Sequence, residues 1–511
     1  KERQEKLKVF KHAMQGILHK RNQGELDKDL LELTGKVLSS NPDIYTLWNI
    51  RREILSIFSK SQEFEEELPQ LYDAELHLTE FCLKVNPKSY CAWHQREWVL
   101  TTRTDPDWKQ ELSLCNTYLT FDERNFHTWD YRRFVVSHCK PSLEDEFDYT
   151  TEKLLTNFSN YSAWHYRSKM LVELHPDLEG GRPIEDSHHK HELKMVQSAA
   201  FTDPDDTSAW FYQRWLLGAV KKTNNLVLAT VTSDKISVAF NEYVSRTHVE
   251  TNVNIIINGE SVQSEWNSCL GNDYDVLWVF KKQLSLPNNV EVKVEYQDDN
   301  GEKRVILCDL HNSAHIARDK ISFQKKYSQA VVDELNKQLE SCRQLLCLEP
   351  DSKWTLLTTT VFLYCIDAEL YHKEIMQNLH LLKTLDKYRA GYYDDLITKW
   401  SIEEQLRRDY QSSSRDFKIS FPDKTTSLPH LQYYSYCDNV DLSNQKLTSE
   451  ILPTLVLLQH CKKLSLASNS LHTLKGFPLL DLEELNLKDN MQLDQKEVEE
   501  FRSKCKYAVI F

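Results

Sequence analysis

Glycine is scarce in this chain of 511 residues, at 11, and neither GxGxxG nor GxxxxGKS/T occurs. Dinucleotide and Walker-type phosphate loops need glycine where backbone meets phosphate, so both are excluded. Twelve cysteines include no CxxC pair and form no dense framework. That usage argues against a disulfide scaffold and fits free thiols in a reducing, cytoplasmic setting. A basic excess is also missing: the net charge is −14, which argues against a nucleic-acid partner. No apolar run approaches the roughly 20 residues that a membrane-spanning helix needs. The start, Lys1 to Lys8, is charged and helical in pattern, unlike a signal peptide. Cys505 stands too far from Phe511 to serve as a prenyl acceptor.

What the chain does have is a repeat. Trp48, Trp93, Trp129, Trp164 and Trp210 follow one another at steps of 45, 36, 35 and 46 residues. Each follows a cap-and-turn cluster such as Asn41-Pro42-Asp43, Asn86-Pro87-Lys88 or Asp203-Pro204-Asp205. An arginine comes three residues after the first four tryptophans (Arg51, Arg96, Arg132, Arg167) and four after the fifth (Arg214). A period in this range predicts an array of helix pairs sharing a continuous core. The opening Asn or Asp is expected to cap the second helix of each pair, with proline tolerated in its first turn. Trp and Arg lie on one face of that helix. Their recurrence in every copy assigns them to packing, with Trp filling the space between helices and Arg offering its fork to carboxylates or carbonyls. A sixth, degenerate copy ends at Trp354 and lacks the arginine.

Between about 223 and 320 the texture changes to β-branched and aromatic runs, including 226–232, 236–240, 253–257, 276–280, 290–296 and 304–308. Asn258-Gly259 and Asn300-Gly301 are hairpin signals. Six or seven short strands predict an inserted, Ig-like β-sandwich. Carrying its own core, it is expected to be removable over about 223–318. Helical pattern returns near 325, and Ser412-Ser413-Ser414 reads as a linker. The tail matches LxLxxNxL three times, with Asn444, Asn469 and Asn490 as the turn asparagines of leucine-rich repeats. The predicted domains are 1–222 (helical repeats one to five), 223–320 (sandwich), 321–415 (last helical repeat and closing helices) and 416–511 (leucine-rich repeats). The fold class is multi-domain and mainly α, an α-α hairpin solenoid with an inserted sandwich and a leucine-rich tail.

The aromatic-x-x-Trp-x-x-Arg repeat after an Asn/Asp turn resembles the repeat of protein prenyltransferase α subunits. The full domain order resembles the Rab geranylgeranyltransferase (type II) members from animals, though with fewer leucine-rich repeats than vertebrate members carry. The resemblance implies an α subunit that wraps a barrel-shaped β subunit. The pair would transfer geranylgeranyl from geranylgeranyl diphosphate to C-terminal cysteines of Rab GTPases presented by Rab escort protein. Zinc belongs to the β subunit, and no cofactor or metal is expected on this chain.

Thiolate attack on an allylic diphosphate builds charge on the leaving group, which cations and donors stabilise. The family's diphosphate-contacting lysine matches Lys88 in Pro87-Lys88-Ser89-Tyr90-Cys91-Ala92-Trp93. Tyr90 is a second candidate donor, but its position is aromatic in four of five repeats, which favours core packing. Phe126 stands where farnesyltransferase-type chains have a tyrosine and cannot donate; His127 is a weaker candidate. His188-His189-Lys190-His191-Glu192 has the residues of a metal motif without HExxH spacing, and adjacent histidines face different sides of a helix. It is read as a polar helix start. Two rival readings are a non-catalytic helical-repeat and leucine-rich scaffold, which has no use for Lys88, and the α subunit of a farnesyltransferase or type I enzyme, against which the inserted domain and tail argue.

Overall fold

The structure is a computed structural model. It describes every residue except 1, 179–180, 221–223, 264, 288–289, 300, 312, 320, 324, 411 and 413, and the side chains of 2, 3 and 6. The chain divides into two compact units, 1–176 with 206–212, and 177–205 with 213–511.

The first unit is all helical: α1 (Glu2–Asn22), α2 (Lys28–Leu38), α3 (Tyr45–Phe58), α4 (Leu68–Val85), α5 (Tyr90–Thr102), α6 (Trp108–Phe121), α7 (Phe126–Cys139), α8 (Leu143–Thr156) and α9 (Tyr161–Leu174). Pairs α2/α3, α4/α5, α6/α7 and α8/α9 are the expected helix hairpins. Trp48, Trp93, Trp129 and Trp164 are at most 4% exposed, so the indoles are the core of the array. α10 (Asp186–Thr202) and α11 (Thr207–Gly218) follow, with Trp210 buried.

The turn chemistry differs from the sequence reading. The opening Asn or Asp does not cap the second helix. Its side chain accepts the backbone N–H two residues on, as in Asn86 from Lys88 (3.1 Å), Asp122 from Arg124 (3.1 Å) and Asn157 from Ser159 (2.9 Å). Each turn is therefore an Asx turn. The caps are Ser89, Asn125 and Asn160, which accept from Ala92, His127 and Ala163. Pro42 and Pro87 likewise lie before their helices, and their carbonyls accept the indole N–H of Trp48 (2.8 Å) and Trp93 (3.0 Å). An indole bonding back six residues locks turn to helix, which explains why the tryptophan recurs where any large apolar side chain could fill the volume.

The second unit holds two antiparallel sheets: β1 (Leu226–Val231), β2 (Lys235–Ser245), α12 (Arg246–Asn252), β3 (Val253–Ile257), β4 (Glu260–Ser261), β5 (Asn267–Ser268), β6 (Tyr274–Lys281), β7 (Val292–Gln297), β8 (Lys303–Leu307), β9 (Asp309–His311) and β10 (Ala314–Arg318). The larger sheet runs β5-β6-β2-β1-β10-β9 and the smaller β4-β3-β7-β8. Asn258 and Gly259 both have positive φ at the β3–β4 turn, as a two-residue hairpin requires; Asn300 lies outside the described residues, as does Ser413 of the expected linker. Alternate residues of β2 and β6 (Ile236, Val238, Phe240, Trp278) pack toward the smaller sheet. Their neighbours (Ala239, Leu277, Val279) join a different cluster.

That second cluster lies on the outer face of the larger sheet. It joins the larger sheet to the helix Ala390–Asp409 and to the C-terminal segment through Leu228, Leu277, Leu406, Leu431, Tyr434 and Leu455. Ser237 Oγ meets His460 Nε2 at 2.9 Å, and Lys235 Nζ donates to Gln459 O at 2.8 Å. The inserted sheets have a core between them, and the other face of the larger sheet is shared with the tail.

Helices α13 (Gln329–Leu348), α14 (Lys353–Asp367), α15 (His372–Leu385) and α16 (Ala390–Asp409) precede a parallel sheet, β11 (Asp416–Lys418), β12 (Asn439–Asp441), β13 (Lys463–Ser465), β14 (Glu484–Asn486) and β15 (Ala508–Ile510), with α17 (Gln495–Lys504) before the last strand. Asn469 and Asn490 are buried and bond three or more backbone groups each, including Leu466 O and, through Oδ1, Leu447 N and Leu471 N. Asn444 does not do this. It has φ 56°, and among the described residues its side chain accepts from Lys424 Nζ at 2.8 Å, while Gln445 accepts from Thr425 N at 3.0 Å in the position the asparagines hold elsewhere. The first copy is thus one residue out of register with the sequence match.

Candidate functional site on the repeat turns

Three motif arginines, Arg51, Arg96 and Arg132, are buried and each joins three helices. Arg96 on α5 makes two parallel bonds to Glu111 on α6, at 2.7 and 2.6 Å, and also donates to Leu76 O (2.9 Å) and Thr79 Oγ1 (3.1 Å) on α4. Arg132 holds Glu146 at 2.9 and 2.6 Å, and Arg51 holds Glu75 and Thr34. The residue before the next arginine completes the carboxylate: Gln95 donates to Glu75 (3.0 Å), Tyr131 to Glu111 (2.7 Å) and Tyr166 to Glu146 (3.1 Å). Buried charges kept this fully bonded are tolerable. Burial opposes the charge of Arg96, but the Glu111 hydrogen bonds outweigh it and raise the guanidinium's proton affinity. Sequence reasoning missed Glu75, Glu111 and Glu146; an acidic residue at an apolar helix position was the available signal. At the fifth repeat the arginine, Arg214, is shifted one residue. Gln213 bonds Gln338 on α13 at 3.1 Å, and Arg214 lies over the Trp354 ring at 5.3 Å. One residue turns a side chain by about 100° around the helix. The five tryptophans and Arg51, Arg96, Arg132 and Arg167 are all buried.

The aromatic that opens each second helix is different. Tyr45, Tyr90, Phe126 and Tyr161 are 60, 67, 49 and 55% exposed. The core reading of Tyr90 is therefore overturned: these rings form an open row along one edge of the array. Each is the first residue of its second helix, one turn before the buried tryptophan.

Lys88 lies on this edge, exposed, at the turn before α5. Its backbone N–H is held by Asn86, while its ammonium makes no hydrogen bond or ion pair among the described residues. The Tyr90 ring, two residues on, meets the His127 ring edge-on at 4.3 Å and Phe126 at 6.4 Å. His127 is nearly buried; burial lowers its proton affinity most, the nearby Lys88 charge lowers it further and Asp130 opposes both. An uncommitted ammonium beside a helix start, an exposed phenol and a neutral imidazole can receive a multiply charged oxyanion. Cys82 and Cys115 are unavailable as nucleophiles here, since burial pushes both thiols up to about 12. The histidine-rich run starts α10, where His189 is buried against Leu216 O at 3.1 Å and His188 pairs with Glu185.

The repeats match the model of the protein prenyltransferase alpha subunit repeat at residues 27–58, 72–103, 108–139, 143–174 and 189–220, each match spanning most or all of one helix pair. The geranylgeranyl transferase type-2 subunit alpha of Sus scrofa is 37% identical over 524 aligned positions, covering all of this chain and 91% of the pig protein. The Homo sapiens subunit is 36% identical over 533, again with all of this chain and 91% of the relative. The Saccharomyces cerevisiae subunit is 34% identical over 222 positions, 42% of this chain and 66% of the yeast protein. No helix among the described residues is long and apolar enough to cross a membrane. With relatives this similar along its whole length, the chain belongs to the family of type-2 geranylgeranyl transferase α subunits.

Proposed function

We propose that this chain acts in a cytoplasmic αβ heterodimer that moves geranylgeranyl from geranylgeranyl diphosphate to C-terminal cysteines of Rab GTPases presented by Rab escort protein. The likeness to type-2 α subunits over the full chain carries this reading. Zinc, which the β subunit would hold, would favour the thiolate form of the Rab cysteine that is the nucleophile. This chain's share is electrostatic: Lys88 and the Tyr90 hydroxyl, on the exposed edge, receive the diphosphate as charge grows on it. Donors fixed before the reaction stabilise developing charge without reorganising, which lowers the barrier. The two antiparallel sheets fit an Ig-like sandwich, and the parallel sheet with its asparagine ladder fits leucine-rich repeats. With the helical parts, we read the domains as 1–222, 223–320, 321–415 and 416–511.

Co-expression with the cognate β subunit, followed by transfer of labelled geranylgeranyl to a Rab with and without escort protein, tests the reading. Escort-dependent double labelling is expected. A heterodimer that modifies only CaaX peptides would instead support the farnesyl or type I alternative, and no heterodimer at all would support the scaffold.

A further inference from the structure

We infer that β8 is a docking edge for an extended segment of a partner protein, which adds as a strand to the smaller sheet and carries apolar residues at alternate positions with an acidic residue opposite Lys303. The smaller sheet ends on β4 at one side and on β8 at the other. β4 is two residues long and polar, Glu260 and Ser261, so it offers little to pair with. The edges of the larger sheet are short as well, two residues in β5 and three in β9. β8 has five residues, and two of them are apolar and open: Val305 and Leu307 are each 59% exposed. Folded proteins blunt a bare edge with brevity or outward charge. Arg304 does not guard this one, since its guanidinium turns to Asp319 (3.3 Å), Glu302 (3.6 Å) and Asp298 (3.8 Å).

The ladder fixes which backbone groups are open. β8 runs antiparallel to β7, with Leu307 against Lys293, Val305 against Glu295 and Lys303 against Gln297. Just beyond the two ends, Cys308 N–H donates to Val292 O (2.9 Å) and Asp298 N–H to Glu302 O (3.0 Å). Bonded and non-bonded pairs alternate in an antiparallel ladder. Arg304 and Ile306 are therefore the residues bonded to β7, and the N–H and C=O groups of Lys303, Val305 and Leu307 point outward. The side chains of these three share one face, because Ile306 packs into the core between the sheets. A strand laid against β8 meets backbone groups that the fold does not use, which supply affinity, and a row of alternate side chains, which supplies specificity.

The charge of that row selects the partner. Lys293 is held by Glu291 at 2.8 Å, and Glu295 accepts from Asn254 at 3.1 Å. Lys303 makes no hydrogen bond or ion pair among the described residues, so a carboxylate opposite it completes the row. A second copy of this chain fits less well. Antiparallel pairing of two β8 strands about Val305 sets Lys303 against the apolar Leu307 and brings no carboxylate.

In the purified αβ heterodimer, a random heptapeptide library displayed on phage is selected against the wild type and counter-selected against Val305→Pro. Proline removes the outward N–H and leaves the β7 ladder whole, as edge strands allow; thermal melting checks the fold. Enriched peptides are expected to alternate apolar residues with period two and to carry Asp or Glu. A fluorescein-labelled synthetic copy of the most enriched sequence is expected to bind Val305→Pro and Lys303→Glu about 10-fold or more weakly than the wild type, the scale of one lost hydrogen bond or charge contact. Val305→Ile should bind as the wild type does. Lys303→Glu changes only an exposed side chain, so it decides the matter alone if the proline variant fails to fold. No enrichment, enriched peptides that lack an acid or show helical spacing, or equal binding to Lys303→Glu would overturn the inference. Sedimentation velocity reads the competing occupant: a dimer of heterodimers that Val305→Pro separates would give the edge to a second copy and overturn it too.

Discussion

Arg96 Nη2 lies 2.6 Å from Glu111 Oε1 in the interior of the helical array, and both side chains are at most 5% exposed. The pair joins one repeat to the next, and Tyr131 secures the same carboxylate from the far side. The pair thereby fixes α5, the helix that Lys88 precedes, against α6.

Removing one partner strands the other. Arg96→Met or Glu111→Ala is expected to destabilise the helical unit by about 3–5 kcal/mol, the cost of an uncompensated buried charge. The double replacement Arg96→Met with Glu111→Leu should recover much of that. Denaturant unfolding followed by far-UV circular dichroism distinguishes the cases; two additive losses in the double variant would mean the pair is not coupled.

Lys88→Ala should leave assembly intact, because the ammonium holds nothing within the described fold. Single-turnover transfer by the heterodimer is expected to fall about 100- to 1000-fold, as for loss of one preorganised charge-stabilising group. An unchanged rate would remove Lys88 from the chemistry.

His460 gives stability a pH dependence. It is 4% exposed and bonded to Ser237, and burial, then the charges of Lys235, Arg415 and Lys462, hold its proton affinity well below the usual histidine value. The folded ring stays neutral while the unfolded chain takes up a proton below about pH 6.5. Its contribution is therefore whole above that pH and is lost as pH falls, at up to about 1.4 kcal/mol per pH unit. His460→Gln should flatten this part of the curve in denaturant midpoints measured between pH 5 and 8. An unaltered slope would place the dependence on other buried histidines.

Deleting 223–318 is expected to yield insoluble protein. The cut exposes the apolar side of the tail, including Leu431, Tyr434 and Leu455, that Leu228 and Leu277 cover. Soluble yield and gel filtration decide; a soluble monomer after the cut would show that the tail closes its own core.

Much of the architecture was legible because it recurs. A tryptophan at steps of 35 to 46 residues, apolar runs of period two and LxLxxNxL each report a local spacing that only one element satisfies. Lys88 was legible only through the company of its motif, since a lone turn lysine has no spacing to read. Asn444 shows where pattern misleads: a match in type, one residue out of register, hid the role of Gln445.

By itself the sequence determined the helix hairpins, the strand runs and the family, since these follow from periodicity and from side chains near in sequence. Tertiary structure alone decided which carboxylate each arginine meets, that Tyr90 stands open while Trp93 is buried, and that the inserted sheets share a core with the tail. These depend on which surfaces are brought together across tens to hundreds of residues. Local pattern carries the need to bury an apolar or charged face, but not the identity of the face that covers it.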